Sequence, residues 1–329
     1  MRRFLLVLLC FSTLSPYARA DLRSLVQDCL WVMALRDHRT HDESMGPRDW
    51  EPWVVRRIPG VVRELQQRAA TADGRAWLDH ALHAPTVWQG TGTMRVHDDI
   101  RLLPIRELLV DNSWLTDLAR IGELPIRLRV SNASPRHDPE AASPFFGIAT
   151  ELPGLGPQRD RSQHFFVTSK PVTTGADARD NIAFLEAQEA GLWARLGLLV
   201  QHPLAVALQV AHRPQGGDVF RETYWSGAVY QMGEELIKYL FTPNESRRSF
   251  TLSLQFRDSR HPSHTPIHNG LVAWRTRPYP VATIEMGDES AGPSFRLNPL
   301  INYGMRPRDS FGASRGPGYE ASQQNRDTR

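Results

Sequence analysis

Two groups of residues have side chains of the kinds that bind metal ions, at spacings that could bring them close together. Their members are His261, His264 and His268 in one group, and His38, His41 and Asp42 in the other. Imidazole and carboxylate groups at short spacings can bind zinc and related ions. The first group is interrupted by prolines and has no cysteine nearby, which favours a loop over a metal site. The second group is interpreted in the same way.

A third candidate is the polar face of a strand. Residues Ile126–Ser131 alternate strictly between apolar and polar side chains, as a half-buried strand does. The alternation places Arg129 and Ser131 on one face and the apolar residues on the other. This polar face is either an ordinary solvated surface or a binding surface, and the residue types allow both.

The segments that would position these residues form helix groups separated by strand groups. Strands are predicted at Ile126–Ser131, Phe145–Thr150, His164–Thr168, Phe250–Phe256 and Val281–Met286. Helices are predicted at Asp21–Leu35, at Asp49–Ala70 with a break near Pro59-Gly60, from Thr71 towards His83, at Asp180–Leu199 and at Pro203–His212. This order indicates an α+β protein with an antiparallel sheet or barrel.

Two helical segments carry more specific expectations. In the first helix, the predicted apolar side consists of Leu22, Leu25, Val26, Cys29 and Val32. Leu196–Ala211 is long and apolar but is interrupted by Gln201, His202 and Pro203, so a packed helix pair is favoured over a membrane span. The polar tail after Tyr319 is expected to fray.

The first twenty residues have the pattern of a secretory signal peptide. Arg2 and Arg3 precede the short apolar run Phe4–Leu14, and Ala18-Arg19-Ala20 supplies a small-x-small cleavage pattern. We therefore expect residues 1–20 to be removed and the mature domain to cover residues 21–329, exported to the periplasm or secreted. Such a chain retains one cysteine, Cys29, so it must be stabilised by its core and not by an internal disulfide.

The charge distribution argues against nucleic-acid binding. The chain has 39 Lys and Arg against 36 Asp and Glu, with a net charge of +3, and the two signs are mixed along the sequence. A nucleic-acid partner calls for a clustered basic face. The excess of arginine instead suits carboxylate groups, which guanidinium groups bind well.

A set of short motifs occurs in a fixed order along the chain: Leu128-Arg129-Val130-Ser131-Asn132-Ala133, His202-Pro203, Glu222-Thr223-Tyr224-Trp225-Ser226, Lys238-Tyr239, Asn298-Pro299, Arg306-Pro307, Arg315 and Tyr319. This ordered set resembles the motifs of the haem catalase family, in particular of its small catalase-like members. The resemblance runs from about His80 to Tyr319. It implies an eight-stranded antiparallel β-barrel with flanking helices, divided into N-terminal helices (21–80), a barrel with helices (81–300) and a C-terminal segment (301–329).

The resemblance also implies a haem b cofactor and a set of residues that hold it. Tyr319 would be the iron ligand, as tyrosinate is in catalases. Arg315, one helical turn earlier, would favour the charged phenolate. Arg129 would bind a haem propionate, and Ser131 would orient a distal histidine. That histidine would be His80, with His83 as the alternative, and Ser169 would occupy the position of the distal asparagine.

The chain departs from the family pattern at several positions. The histidine segment is one residue short, Ser169 replaces an asparagine, and Met305 replaces a histidine. Gly316-Pro317-Gly318 is expected to weaken the helix that carries Tyr319. The resemblance therefore predicts a catalase or peroxidase acting on hydrogen peroxide or organic peroxides, with peroxidase-like turnover and weaker oxygen release from hydrogen peroxide than in the family's standard members. The alternatives are a non-catalytic haem-binding or degenerate member and a protein acting on fatty-acid hydroperoxides. An oligomer is compatible with the sequence.

Overall fold

The architecture was obtained as a computed structural model. It describes residues 16–36, 51–72, 86–101, 113–132, 146–155, 161–190, 192–214, 218–246, 248–290, 298 and 303–327. The described helices are α1 (Pro16–Leu35), α2 (Glu51–Ala72), α3 (Ser113–Ile121), α4 (Ala178–Glu189), α5 (Leu192–Gln201), α6 (Pro203–Ala211) and α7 (Ser310–Asp327). The described strands are β1 (Thr86–Val96), β2 (Glu123–Asn132), β3 (Phe146–Leu155), β4 (Arg161–Thr168), β5 (Tyr224–Trp225), β6 (Tyr230–Met232), β7 (Glu235–Pro243), β8 (Ser249–Phe256), β9 (Pro278–Glu289) and β10 (Arg306–Pro307).

Eight of these strands form a closed antiparallel barrel. The strand order runs β7-β5-β4-β3-β2-β1-β9-β8, and the pairing of β7 with β8 closes the ring. Strands β6 and β10 extend the sheet beyond β7. Closure pairs every strand of the ring on both sides and so leaves none of these eight strands as an unpaired edge. The predicted α+β class and antiparallel barrel are therefore confirmed.

The barrel closes around one large apolar core because the strands alternate as their sequences indicate. On β2, Ile126, Leu128 and Val130 are almost fully buried in this core. Each of the five predicted strands corresponds to a longer observed strand, and only β3 begins later than predicted, at Phe146. Pairing across neighbouring strands buries the apolar face of each in the same interior.

Two predicted helices differ from the structure in opposite ways. Helix α2 continues through Pro59, although the sequence indicated a break there. It buries Val54, Ile58 and other apolar residues in a cluster shared with α4 and α7. That burial outweighs the cost of an internal proline, about 3 kcal/mol. The predicted helix Asp180–Leu199 is instead divided between α4 and α5. The helix predicted from Thr71 towards His83 lies almost wholly outside the described residues, since α2 ends at Ala72.

The apolar side predicted for α1 is wrong except for Val26. Val26, Leu30 and Ala34 belong to or pack against a buried cluster, whereas Leu25 and Cys29 are exposed. The cluster includes residues of α6, which α1 contacts, and this neighbour selects the buried side. The predicted cleavage point after Ala20 lies within α1, and residues 1–15 lie outside the described part of the chain.

The segment Leu196–Ala211 forms the expected helix pair, but only half of it is packed. Helix α6 places Ala205, Ala207 and Leu208 in a core cluster, while α5 is largely exposed. Among the described helices, no single one is long and apolar enough to cross a membrane. Trp193–Gln201 and Pro203–Ala211 meet the length and composition criteria only together, and they are bent by 99°.

Candidate functional site

The candidate site lies where α7 meets the outer face of the barrel at strands β2, β3 and β4. Two rows of directly paired residues form this face, which we call the shelf: Arg129, Ala149 and Phe166 in one row, and Ser131, Gly147 and Thr168 in the next. Directly paired residues of antiparallel strands point to the same side. The middle strand contributes only an alanine and a glycine, so the centre of the shelf has little side-chain bulk.

Tyr319 of α7 packs onto this shelf. Its ring meets the ring of Phe166 edge to face, with centroids 4.6 Å apart. The side chain remains partly exposed, in contrast to the buried tyrosines of the barrel core. Part of the residue's surface thus remains uncovered, while packing against the sheet buries much of the side chain.

Arg315 lies beside Tyr319 and is fixed by several contacts. It donates a hydrogen bond to the Tyr319 side chain, and its Nη1 donates to the Ser226 carbonyl oxygen at 2.9 Å. Its guanidinium also lies over the rings of Phe166 and Phe311, at 5.7 and 5.5 Å from their centroids. The predicted pairing of Arg315 with Tyr319 on one side of a helix is therefore present.

Arg129 approaches the same phenol from the barrel. It is only 7% exposed, and its Nε donates to Thr86 Oγ1 at 3.0 Å. Burial raises the pKa of the Tyr319 phenol above its usual value, while the Arg315 and Arg129 guanidiniums act in the opposite direction. The phenol is therefore neutral at neutral pH unless a bound cation favours its ionised form.

Ser131 and Ser169 occupy different positions relative to the shelf. Ser131 lies on it, and its hydroxyl donates a long hydrogen bond of 3.4 Å to the Gly147 carbonyl. Ser169 is buried and follows the last residue of β4, so Thr168 is the polar residue of β4 that lies in the row of Ser131. The sequence pattern did not identify Thr168, because the cross-strand register between Ser131, Gly147 and Thr168 is not encoded in any single strand.

The predicted distal histidines cannot be placed. His80 and His83 both lie outside the described residues, as do His38, His41 and Asp42. His261 and His264 border or lie in a short 3-10 turn, where their rings stack with centroids 5.4 Å apart. Among the residues that the structure describes, no group of three His, Cys, Asp or Glu side chains could hold a metal ion.

Asp309 fixes the position of helix α7, and the sequence pattern did not identify it. It lies directly before α7 and is 6% exposed. One carboxylate oxygen accepts from the Gly312 N–H at 2.7 Å, as an N-cap does, and the other accepts from the Val229 N–H at 3.0 Å. Asp309 therefore joins the start of α7 to the barrel and sets the direction of the helix that carries Arg315 and Tyr319. An aspartate immediately before a helix was the available signal.

The charge of Asp309 is balanced by two neighbouring cations, Lys238 and Arg315. Burial raises the pKa of its carboxyl to about 6, although its two backbone hydrogen bonds and the charges of Lys238 and Arg315 oppose that shift. Burial likewise lowers the pKa of Lys238 to about 8, against the effect of Asp309. Between these two values all three groups carry charge, so the carboxylate is compensated at neutral pH.

A pair of buried tyrosines fixes the backbone of Phe166. The Tyr239 hydroxyl accepts from the Phe166 N–H at 3.2 Å and lies 3.1 Å from the Tyr230 hydroxyl. Burial raises the pKa of both phenols, so they remain neutral hydrogen-bonding groups. The ring against which Tyr319 packs is thus held from inside the barrel.

The helix that carries Tyr319 is not weakened as expected. Helix α7 runs without interruption from Ser310 to Asp327, with Pro317 inside it, and the tail after Tyr319 is helical. A Cβ at Gly318 would lie 3.2 Å from Ile58 Cγ2 of α2. The glycine thus permits a close approach between α7 and α2, and this packing stabilises a segment of low helix propensity.

No protein-family model matches the chain, and no curated protein matches it. The geometry therefore carries the functional argument. The shelf brings together three candidate functional side chains, those of Tyr319, Arg315 and Arg129. Its middle strand has only small side chains, and the ring of Phe166 lies at its border. A phenol oxygen that can ionise beside two guanidiniums supplies donor types that can bind a metal ion and pair with carboxylates.

Proposed function

We propose that the chain is an exported haem-dependent protein of the catalase type that acts on peroxides. The observation that carries this proposal is the convergence of Tyr319 and Arg315 from α7 with Arg129 from β2. These residues are distant in sequence, and the resemblance assigns them to one cofactor. Their contacts and charges support that assignment.

Three residues would bind haem b or stabilise its ligand, each through a different contact. Tyr319 would bind the iron as a phenolate, and Arg315 would stabilise its negative charge through the hydrogen bond between them. Arg129 would pair with a propionate, since its buried guanidinium lies on the shelf. When bound, the haem iron supplies the redox chemistry that cleaves the O–O bond of a peroxide.

Proton transfer requires a base on the other side of the cofactor. We assign that role to His80, with His83 as the alternative, and to Ser131 the role of orienting the base. The base must come within hydrogen-bond reach of the proton that it moves. Ser169, which we proposed as the distal polar group, lies outside the two rows of the shelf, and Thr168 is a second candidate for that position.

The expected activity is peroxidase turnover, with weaker oxygen release from hydrogen peroxide than in the standard members of the catalase family. Oxygen release requires two peroxide molecules to be handled in succession at an ordered distal site, and a small misplacement there costs on the order of 100-fold in rate. The continuous helix α7 removes the proximal reason for weak activity, so this expectation now rests on the distal departures. The displacement of Ser169 from the shelf also favours the alternative of a non-catalytic haem-binding protein.

The test combines haem loading with two activity assays on one sample. The exported protein is loaded with haem b, and oxygen release and dye oxidation by hydrogen peroxide are measured for wild type and for His80→Ala. We expect dye oxidation and only weak oxygen release, and both to fall in the variant. Full loading without either activity would support the non-catalytic alternative, and failure to bind haem would refute the proposal.

A matched pair of arginines tests the binding surface. Arg129→Gln should weaken haem binding by about 10–100-fold, the value of a hydrogen bond between charged groups. Arg127→Gln is the control, because Arg127 lies on the same face of β2 but is half-exposed and pairs with Glu151. Equal affinities in a haem titration of the two variants would contradict the assignment of Arg129.

A further inference from the structure

His164 is a buried histidine on the outer face of the barrel, beside the shelf. It is 3% exposed and precedes Phe166 as an outward residue of β4. The cross-strand register places it in a row with Glu151 of β3 and Arg127 of β2, which form an ion pair. Directly paired residues of antiparallel strands point to the same side. This row therefore borders the row of the shelf that contains Phe166.

The two ring nitrogens of His164 have different neighbours. Nε2 lies 3.9 Å from Glu151 Oε1. Nδ1 lies 3.0 Å from the backbone nitrogen of Asn298 and 3.1 Å from its carbonyl oxygen. In the neutral ring the Glu151 carboxylate favours the proton on Nε2, so Nδ1 accepts a hydrogen bond from the Asn298 N–H. The neutral form of His164 thus binds the backbone of Asn298 to the barrel.

Asn298 extends this link to α7. Its side-chain Nδ2 donates to Glu320 Oε1 at 3.0 Å. Glu320 directly follows Tyr319, whose ring packs on Phe166 of the same strand. Helix α7 is therefore connected to β4 in two ways at this level, directly through Tyr319 and indirectly through Glu320. We call His164, Asn298 and Glu320 the latch.

A second proton on His164 is incompatible with this hydrogen bond. A protonated Nδ1 can only donate. Its N–H would then face the Asn298 N–H, at the present separation of 3.0 Å between the two nitrogens. Asn298 would have to move so that only its carbonyl oxygen contacts the ring, and the side chain that binds Glu320 would move with it.

The surroundings of His164 favour the neutral ring. Burial is the largest effect and lowers the pKa of His164 below its usual value, and the Arg127 charge acts in the same direction. The Glu151 carboxylate and the hydrogen bond to Asn298 act in the opposite direction. From α7, Glu320 is the charged group of this contact, with Asn298 between it and the ring. Because the unfolded value is about 6.5, the folded state binds fewer protons than the unfolded chain below that pH. The stability that the neutral ring provides is therefore lost as the pH falls through this range.

We propose that the latch is an acid-sensitive contact that holds the middle of α7 on the barrel. At neutral pH, His164 binds Asn298 and Asn298 binds Glu320. In acid the protonated ring displaces Asn298, the contact with Glu320 is lost, and the residues of α7 around Tyr319 open more often. The proposal concerns this chain alone and does not depend on a bound haem.

Hydrogen–deuterium exchange of the peptides of α7 tests the proposal. The full exported chain is labelled at about pH 7.5 and about pH 5, on either side of the ordinary histidine pKa, with labelling times scaled to the intrinsic exchange rates. Wild type should exchange about 2- to 10-fold faster at the lower pH, the value of one lost hydrogen bond. His164→Asn places an oxygen that does not titrate near the position of Nδ1, so its exchange should not change with pH. Asp309 titrates in the same range, so the effect is taken as the difference between wild type and this variant.

Two further variants complete the test. His97→Asn is the control, because His97 follows β1 and its Nε2 hydrogen-bonds Thr283 Oγ1 of β9 at 2.8 Å; this variant should keep the acid response. Glu320→Ala removes the exposed end of the latch, should speed exchange at both pH values, and decides the matter if His164→Asn does not fold. Wild-type exchange that is independent of pH would overturn the proposal. So would an acid response that persists in His164→Asn or Glu320→Ala, or that is lost in His97→Asn.

Discussion

Helices α7 and α5 show opposite relations between sequence and packing. The centre of α7 contains Gly316-Pro317-Gly318, which disfavours a helix, yet the helix is continuous and packs against α2 and the barrel. Helix α5 is rich in leucine but contributes none of its described side chains to a buried cluster. Tertiary contacts, more than helix propensity, therefore decide which helix is embedded in the fold. The embedded helix carries the candidate ligand, and the exposed one presents a surface.

The largest effect should come from removing the carboxylate that anchors α7. Asp309→Ala leaves the Val229 and Gly312 N–H groups without this acceptor and leaves Lys238 and Arg315 without their buried counter-charge. We expect a loss of about 3–5 kcal/mol in the free energy of unfolding, measured with urea at pH 7.

A second buried aspartate provides the control for this measurement. Asp177 is also 6% exposed, and it caps α4 by accepting from the Asp180 N–H at 3.0 Å. Asp177→Ala should cost about 1–2 kcal/mol, which is the value of a helix cap. If the two variants lost the same stability, Asp309 would be only a cap and the argument for a charge-compensated anchor would fail.

The same substitution, glycine to leucine, should change the free energy of unfolding in opposite directions in the two helices. Both changes should be smaller than that of Asp309→Ala. Gly318→Leu forces atoms against Ile58 and should destabilise the protein by about 1–3 kcal/mol. Gly197→Leu in α5 meets nothing within 4 Å and should raise stability by up to about 1 kcal/mol through helix propensity. Urea unfolding measures both changes. Destabilisation by Gly197→Leu would show that α5 is packed against something.

The fold was predictable to the extent that it rests on local patterns. Alternation identified β2 and placed Arg129 and Ser131 together, and the spacing of four placed Arg315 beside Tyr319. Contacts between segments were not predictable: the register that aligns Phe166 with Arg129, and the packing of Gly318 against Ile58, depend on residues far apart in sequence. His80 and His83 remain predictions because they lie outside the described residues.

A further prediction concerns the pH dependence of stability at Lys170, which joins the end of β4 to α6. Lys170 lies just after β4 and donates a hydrogen bond to Gln209 of α6. Burial lowers its pKa to about 7 in the folded protein. Because this folded value lies below the unfolded one of about 10.4, the folded state binds fewer protons between them, and stability falls as the pH decreases from about 10 to 7.

The expected slope is at most about 1.4 kcal/mol per pH unit, which is the limit for one proton. Lys170→Met should remove it, so the variant should gain more stability relative to wild type at pH 7 than at pH 10. Urea unfolding at the two pH values measures the difference. A gain that is independent of pH would show that Lys170 titrates normally.

The central proposal is that Tyr319 is the iron ligand of a bound haem b. Its most direct test is the absorbance spectrum of haem-loaded wild type, Tyr319→Phe and Tyr279→Phe. Tyr279 is the matched control because it is also a partly exposed tyrosine, packed against Phe256 with ring centroids 5.7 Å apart. We predict that wild type and Tyr279→Phe share one spectrum with one haem per chain, while Tyr319→Phe loses haem or shows a strongly altered spectrum. An unchanged spectrum in Tyr319→Phe would contradict the claim.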